Sequence, residues 1–219
     1  MELTEKIQKK LNEGREYRSM TMEARTDLDE YIVEGYATTF NEPYHLYTDG
    51  KGREVKEQVS RDAFLNADMS DVIMQYDHEG RVFARLSNDT LKLNVDDHGL
   101  KVTAYLGGTE IGRNLYEEIK GGYTDKMSFG FTVANDEVKP DGDGFLRTVL
   151  AVRKLFDVSA VSLPANDMTA ISARNHCDGA IAEIDEEIRL REEELRIEAE
   201  KRENLAARLK ALKGEKDGN

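Results

Sequence analysis

Cysteine, proline and tryptophan are scarce in this chain of 219 residues, which contains one, three and none of them respectively. The single Cys177 has no partner for an internal disulfide, and a cysteine-rich zinc centre would need several more thiols. We therefore expect a protein of a reducing, cytoplasmic compartment. No apolar run approaches the roughly 20 residues of a membrane-spanning helix, and the charged N-terminus is unlike a signal peptide. Membrane insertion is therefore not expected.

Positive charge is also in short supply. Lys and Arg number 31 against 44 Asp and Glu, which leaves a formal net charge of -13 at pH 7. Because nucleic-acid binding depends on clustered Lys and Arg facing phosphates, this balance argues against a nucleic-acid partner and favours a protein partner. Hydrophobic residues make up 39% of the chain, which is enough for one ordinary domain with a full core.

A change of composition marks the domain organisation. All three prolines and all Phe and Tyr residues precede position 175, whereas Glu, Arg, Lys, Ala and Leu dominate the remainder. The sequence therefore predicts a body at residues 31–175 and an acidic helical tail at residues 176–219. Residues 1–30 are expected to form an N-terminal extension and a first strand.

Short alternating apolar runs separated by turns predict that the body is built mainly of β-strands. Thr109 is a suitable N-cap for a helix that contains Leu115 and ends at Gly121, and Ser60 begins a short helical turn that buries Phe64. The expected fold class is α+β, with a mostly antiparallel, β-barrel-like core and flanking helices. The predicted strands are 31–39, 53–59, 72–76, 82–86, 91–95, 100–106, 127–134, 146–152 and 155–162.

The tail has the pattern of a coiled-coil-like helix. With Ile181 at heptad position a, most a and d positions are apolar, although polar residues interrupt the middle of the seam. A helix of this length gains stability from a partner helix. A single charged helix packed on the body is the alternative interpretation. The apolar seam residues are Ile181, Ile184, Ile188, Leu195, Leu205, Leu209 and Leu212.

Ser128 is the candidate nucleophile. In a strand through residues 127–134, bulky side chains such as Met127 and Phe129 share one face, while Ser128 and Gly130 lie on the other. A nucleophile needs a face of small residues because the substrate carbonyl must approach its oxygen closely. A serine in a strand is more often only a small, half-buried residue, so the pattern alone leaves both interpretations open.

His78 is the candidate general base. It ends a predicted strand and shares a face with Tyr76, where partial desolvation suits an imidazole that accepts a proton. A structural histidine fits the same pattern. His98 competes for the role but lies in a turn, and His45 and His176 have no supporting pattern. No histidines and acids show the spacing of metal ligands, so neither a metal nor another cofactor is expected.

Asp157 is the candidate orienting acid. It interrupts an apolar strand and shares a face with Leu155, Ser159 and Val161, where a lone buried carboxylate would be unfavourable without a partner. A histidine that needs an acceptor is such a partner. A strand-edge aspartate bound to solvent, Arg153 or Lys154 is the simpler alternative. Histidine, serine and acid together are the components of a nucleophilic hydrolase.

The order of these residues and their surroundings resembles the prohead (capsid maturation) serine proteases of tailed phages, which are similar in fold to the herpesvirus assemblins. The resemblance runs from about residue 34 to residue 171, and its elements are individually short but specific in this order. They are Gly35-Tyr-Ala37, Phe40-Asn41, Ala63-Phe64, Asp77-His78, Gly99-Leu100, Ser128-Phe-Gly-Phe131 and Asp157-Val-Ser-Ala-Val-Ser-Leu-Pro-Ala-Asn166.

The resemblance implies roles for three residues. Ser128 takes the position of the nucleophile and His78 that of its base. The herpesvirus enzymes use a second histidine as the third member, whereas phage relatives commonly carry an acid before the Pro-Ala-Asn element, which implies Asp157. The oxyanion-hole donors are not identified by the sequence.

The implied activity is a serine endopeptidase without a cofactor. Its expected substrates are the major capsid protein precursor or the scaffold, and the chain itself by self-cleavage. The resemblance places it in the host cytoplasm, inside the immature head, and the tail could also mediate homo-oligomerisation. Two other functions fit the residues: a non-enzymatic assembly or scaffolding protein with a protease-like body, and an oligomeric binding domain in which the three residues do not converge.

Overall fold

The computed structural model describes residues 9, 13–25, 30–162 and 171–214, with side chains in the last range given for 173–207. The chain divides into two compact units, Met1–Cys177 and Asp178–Asn219. Within the described residues, the first unit contains ten strands and one complete α-helix. No described helix combines the length and the apolar character that crossing a bilayer requires.

The strands follow the predicted positions closely: one strand lies within residues 1–30, where a first strand was expected, and one additional strand lies after residue 43. They are β1 Glu16–Ala24, β2 Ile32–Thr39, β3 Tyr44–Thr48, β4 Glu54–Val59, β5 Ile73–Tyr76, β6 Glu79–Arg85, β7 Leu91–Val95, β8 Gly99–Tyr105, β9 Lys126–Asp141 and β10 Gly144–Val161. The helices are α1 Glu110–Lys120 and α2 Ile171–Gly214.

One mixed sheet joins all ten strands, in the order β3-β4-β10-β9-β1-β2-β8-β7, with β5 beside β10 and β6 beside β5. Most pairs are antiparallel, but β10 pairs in parallel with β4 through its first part and with β5 through its last part. The long antiparallel pair of β9 and β10 therefore forms the centre of the sheet. Two predicted strands, 146–152 and 155–162, are parts of β10, in which register shifts mark their junction.

The predicted barrel-like closure of the core is wrong. A closed barrel needs hydrogen-bonded pairing all the way around, whereas the end strands β3 and β7 do not pair with each other among the described residues. The sheet instead turns at β1, whose residues 16–21 pair with β9 and whose residues 22–24 pair with β2. The architecture is therefore an open α+β sheet, still mostly antiparallel.

Helix α1 confirms its predicted start and end. Thr109 Oγ1 accepts a hydrogen bond from the Gly112 N–H at 3.1 Å, and Gly121 follows the last helical residue. Leu115 and Ile119 are buried in the core. The predicted turn after Ser60 is present as hydrogen-bonded turns, and it buries Phe64.

Coiled-coil pairing of the tail is not shown. The second unit is a single helical segment, and three predicted seam residues, Ile188, Leu195 and Leu205, are exposed. The side chains of Leu209 and Leu212 lie outside the described residues. The segment after Val161 that contains Pro164-Ala-Asn166 lies outside them as well.

Candidate active site

Ser128 is the third residue of β9, which lies in the middle of the sheet. It stands directly opposite Ser19 of β1 and Ser159 of β10, so three serines form a row across three strands. The flanking Met127 and Phe129 point to the other face and are fully buried in the core. The alternation predicted from the sequence is therefore present, and Ser128 lies on the face of small residues. Its exposure is 1%.

His78 lies in a tight turn rather than at the end of a strand. β5 ends at Tyr76 and β6 begins at Glu79, and the two residues between them have positive φ, 48° at Asp77 and 59° at His78. Positive φ at both central residues is typical of a type I′ hairpin turn, and Asp tolerates it better than most residues. Asp77 Oδ1 accepts a hydrogen bond from the Ser162 N–H at 3.0 Å, which fixes the turn beside the end of β10.

The three predicted residues meet in a continuous hydrogen-bonded series. His78 Nε2 lies 2.8 Å from Ser128 Oγ, and His78 Nδ1 lies 2.5 Å from Asp157 Oδ1. Because an ionised carboxylate only accepts hydrogen bonds, Nδ1 carries the proton and the Nε2 lone pair faces the serine hydroxyl. This is the arrangement that a base needs to take a proton from Ser128.

The carboxylate of Asp157 has further support that the sequence analysis did not identify. Ser159 Oγ donates a hydrogen bond to Asp157 Oδ1 at 2.9 Å, and both residues are buried. The alternation along the strand had placed Ser159 on the same face as Asp157, but it did not indicate the hydrogen bond between them. Hydrogen bonds to the charged form compensate for the burial of the carboxylate.

Tyr17 of β1 and Arg15, which immediately precedes this strand, complete the surroundings of the triad. The Tyr17 ring centre lies 4.2 Å from that of His78, and Arg15 Nη1 lies 3.7 Å from Asp157 Oδ2. Burial and the nearby Asp157 charge raise the pKa of Tyr17, so its phenol is neutral and cannot act as a base near neutral pH. No sequence pattern pointed to this pair, since only the folded sheet places β1 beside β9.

Gly130 provides the space that the buried carboxylate occupies. A methyl group at this position would lie 2.7 Å from Asp157 Oδ2 and 2.8 Å from Tyr17 Cε1, well inside contact distance. Gly130 stands opposite both Tyr17 and Asp157 in the sheet. Its lack of a side chain, rather than any special backbone angle, is what the site requires.

The other histidines lie elsewhere. The His98 ring packs edge-on against Tyr36 with ring centres 4.5 Å apart. His45 pairs with Glu54 at 3.2 Å, and His176 pairs with Asp136 at 3.1 Å. His98, the predicted competitor of His78, therefore makes its ring contact outside the triad.

Comparison with known proteins assigns the chain to a family. A sequence profile described as the caudovirus prohead serine protease matches residues 18–180. The chain belongs to this family. The prohead protease of Enterobacteria phage HK97 is 29% identical over 192 residues, which cover 86% of this chain and 80% of that relative. No solved structure matches the chain.

Membership of the prohead protease family confirms the resemblance seen in the sequence. It supports a serine peptidase that acts in phage capsid maturation, within the immature capsid in the host. The matched residues include Ser128, His78 and Asp157 but begin after Arg15 and Tyr17.

Proposed function

We propose that this chain is a prohead maturation endopeptidase that uses Ser128, His78 and Asp157 to cleave the major capsid precursor or scaffold, and itself. The observation that carries the proposal is the series of hydrogen bonds from Asp157 through His78 to Ser128, in a member of a serine protease family. The non-enzymatic alternative gives no reason for a buried carboxylate, imidazole and hydroxyl to meet in this way.

The geometry supports acylation by a general-base mechanism. His78 Nε2 takes the Ser128 proton as Oγ attacks the substrate carbonyl, and a tetrahedral oxyanion forms. The imidazolium then gives its proton to the leaving amine as the peptide bond breaks, leaving an ester on Ser128. Asp157 keeps the imidazole in the required tautomer and stabilises its positive charge.

Deacylation reverses the roles. His78 removes a proton from water, the resulting hydroxide attacks the ester, and the protonated imidazole returns a proton to Ser128 Oγ. The fragment with the new C-terminal carboxyl group leaves, and the enzyme regains its starting protonation state. Because Ser128 is only 1% exposed, substrate access requires a local opening around the hydroxyl.

The decisive experiment compares the intact mass of wild type and Ser128→Ala over time, each alone and with a capsid precursor. We expect fragments from the wild type, and a rate at least about 10⁴-fold lower for the variant, because the covalent step is lost. Ser87→Ala, in the 3₁₀ turn after β6, removes a hydroxyl that is not part of the triad and serves as the control. If both proteins stay whole with every precursor, the assembly-protein alternative replaces this proposal.

A further inference from the structure

Arg15 is a cation held next to the buried end of the triad. Its side chain is 14% exposed, and its guanidinium lies 3.7 Å above the centre of the Phe156 ring. This stacking fixes the group where Nη1 reaches to 3.7 Å from Asp157 Oδ2. The charge is therefore positioned by β1 and β10 together and does not depend on a flexible surface side chain.

Other titratable groups lie near the triad as well. Glu79 follows His78 in the turn at the start of β6, and the buried Tyr17 phenol lies against the His78 ring. Lys154 lies 5.6 Å from the Phe156 ring centre, but its ammonium pairs with Asp68 at 2.7 Å. Arg15 is thus a cation in direct ion-pair range of Asp157.

A cation at this position opposes the effect of Asp157 on the imidazole. A carboxylate next to a histidine favours the protonated imidazole, which cannot accept the serine proton. A positive charge on the far side of that carboxylate reduces this preference. Because the groups are buried, solvent and salt screen their interaction only weakly.

We propose that Arg15 is a positioning residue that acts through Asp157 and lowers the pH at which His78 becomes able to accept the proton of Ser128. The proposal rests on the function proposed above. It goes beyond family membership, since the matched residues begin at position 18. Arg15 is not proposed to contact Ser128 or the substrate. It affects the protonation of His78 through Asp157.

Three variants separate charge from structure. Arg15→Gln removes the charge, and Arg15→Lys keeps it. Arg53→Gln is the matched control, because Arg53 also covers a phenylalanine ring, Phe145 at 4.7 Å, and pairs with an aspartate, Asp49 at 2.8 Å, away from the triad.

The first readout needs no catalysis. In full-length protein carrying Ser128→Ala, the imidazole resonances of His78 are followed by NMR from pH 4 to pH 9. We expect Arg15→Gln to raise the pH of half-titration by about 0.5–1 unit, Arg15→Lys to restore most of the shift, and Arg53→Gln to leave it unchanged.

The second readout is the dependence of kcat/KM on pH in chains that retain Ser128, with the acidic limb expected to move by the same amount. A titration shift without any cleavage by the wild type would reject the proposed function while supporting the charge effect of Arg15. An unchanged half-titration pH in Arg15→Gln, or an equal shift in Arg53→Gln, would overturn the proposal for Arg15.

Discussion

The two carboxylate oxygens of Asp157 face different partners, and the close packing around them leaves the carboxylate little room to move. Oδ1 takes hydrogen bonds from His78 and Ser159, while Oδ2 faces Arg15 and the empty side of Gly130. A shift of the carboxylate in any direction lengthens one of these contacts. The orientation of His78, and with it the reach to Ser128, therefore depends on the volume of the neighbouring residues.

Gly130→Ala tests this dependence. The added methyl group must displace Asp157 or Tyr17, because it would lie 2.7 Å and 2.8 Å from their atoms. We expect kcat/KM for precursor cleavage to fall by about 100-fold, since small misplacements near the chemistry have effects of this size.

The control for Gly130→Ala is Gly50→Ala, where nothing lies within 4 Å of the added methyl group. Thermal unfolding of both variants, recorded beside activity, separates loss of the site from loss of the fold. Unchanged cleavage by Gly130→Ala would contradict the view that Asp157 must stay in place.

Strand alternation made some of these residues predictable from the sequence. Ser128 and Asp157 each interrupt an apolar run, so their positions on a face follow from a period of two. Arg15 and Tyr17 could not be predicted in the same way, because their proximity to the triad depends on which strand pairs with β9. Their contacts are long-range in sequence and leave no local pattern.

At the scale of elements, the β5–β6 hairpin carries His78, the proposed base. Its turn has two residues with positive φ, which cost energy that the surrounding contacts must offset. The Asp77 carboxylate accepts hydrogen bonds from the backbone N–H and the hydroxyl of Ser162, both at 3.0 Å. The hairpin is thereby attached to the end of β10, the strand that also carries Asp157.

Asp77→Ala should weaken the attachment of this hairpin to β10, because the hydrogen bonds to Ser162 are lost. We expect kcat to fall by about 10- to 100-fold with little change in KM, because the base loses its alignment while the rest of the sheet is kept. Steady-state kinetics on a precursor-derived peptide would measure the change. Asp97→Ala is a matched control, since Asp97 also precedes a histidine in a hairpin turn but is exposed and pairs with Arg61. Equal losses in both variants would contradict this role of Asp77.

The elements themselves were largely predictable, whereas their assembly was not. Period-two alternation located most strands, and Thr109 and Gly121 marked helix α1. The merger of two predicted strands into β10 depends on bulges that keep the strand paired with β9, and sequence pattern does not distinguish a bulge from a loop. Closure of the sheet is likewise decided by long-range pairing.

At the scale of the whole molecule, a buried network of charges joins β1, β4, β9 and β10. Arg18 Nε binds Glu57 Oε1 at 2.5 Å, and Arg147 Nη1 lies 2.6 Å from Glu16 Oε2 and 2.7 Å from Glu57 Oε2. Arg147 Nε also binds Asp136 at 2.6 Å. Burial alone would raise the pKa of Glu57, but Arg18, Arg147 and Tyr44 hold it down to about 2.

This lowered pKa makes stability depend on pH. The unfolded glutamate titrates near its ordinary value of about 4.3, so the contribution of Glu57 is fully present above that pH. It is lost as the pH falls from about 4.3 to about 2, and amounts to about 3 kcal/mol. Urea unfolding of the wild type between pH 7 and pH 2.5 should show this loss.

Glu57→Gln should lack that part of the pH dependence and be less stable at pH 7 by about 3–5 kcal/mol, because Arg18 and Arg147 lose a buried partner. Glu54→Gln, on the same strand but half exposed, should change the unfolding free energy by less than about 0.5 kcal/mol. Parallel acid transitions for wild type and Glu57→Gln would show that this carboxylate does not determine acid stability.

The helical tail belongs to this scale too, and we propose that it directs the protease to the assembling shell. Deletion of residues 179–219 should leave cleavage of a precursor in solution intact but abolish incorporation into proheads, measured by co-sedimentation. Full-length chains with Ile188, Leu195 and Leu205 changed to Gln should lose incorporation as well, because these exposed apolar residues are the proposed contacts. Full-length Ser128→Ala should be incorporated normally, and normal incorporation of the deleted chain would reject the proposal.

The position of β10 in the sheet also sets when the three site residues can come together during synthesis. β10 is the last strand of the body to leave the ribosome, yet it lies between β9 on one side and β4 and β5 on the other. Until it is made, the hairpin with His78 has no strand that connects it to the one with Ser128. Asp157 lies in β10 as well, so Ser128, His78 and Asp157 can meet only after β10 has been made.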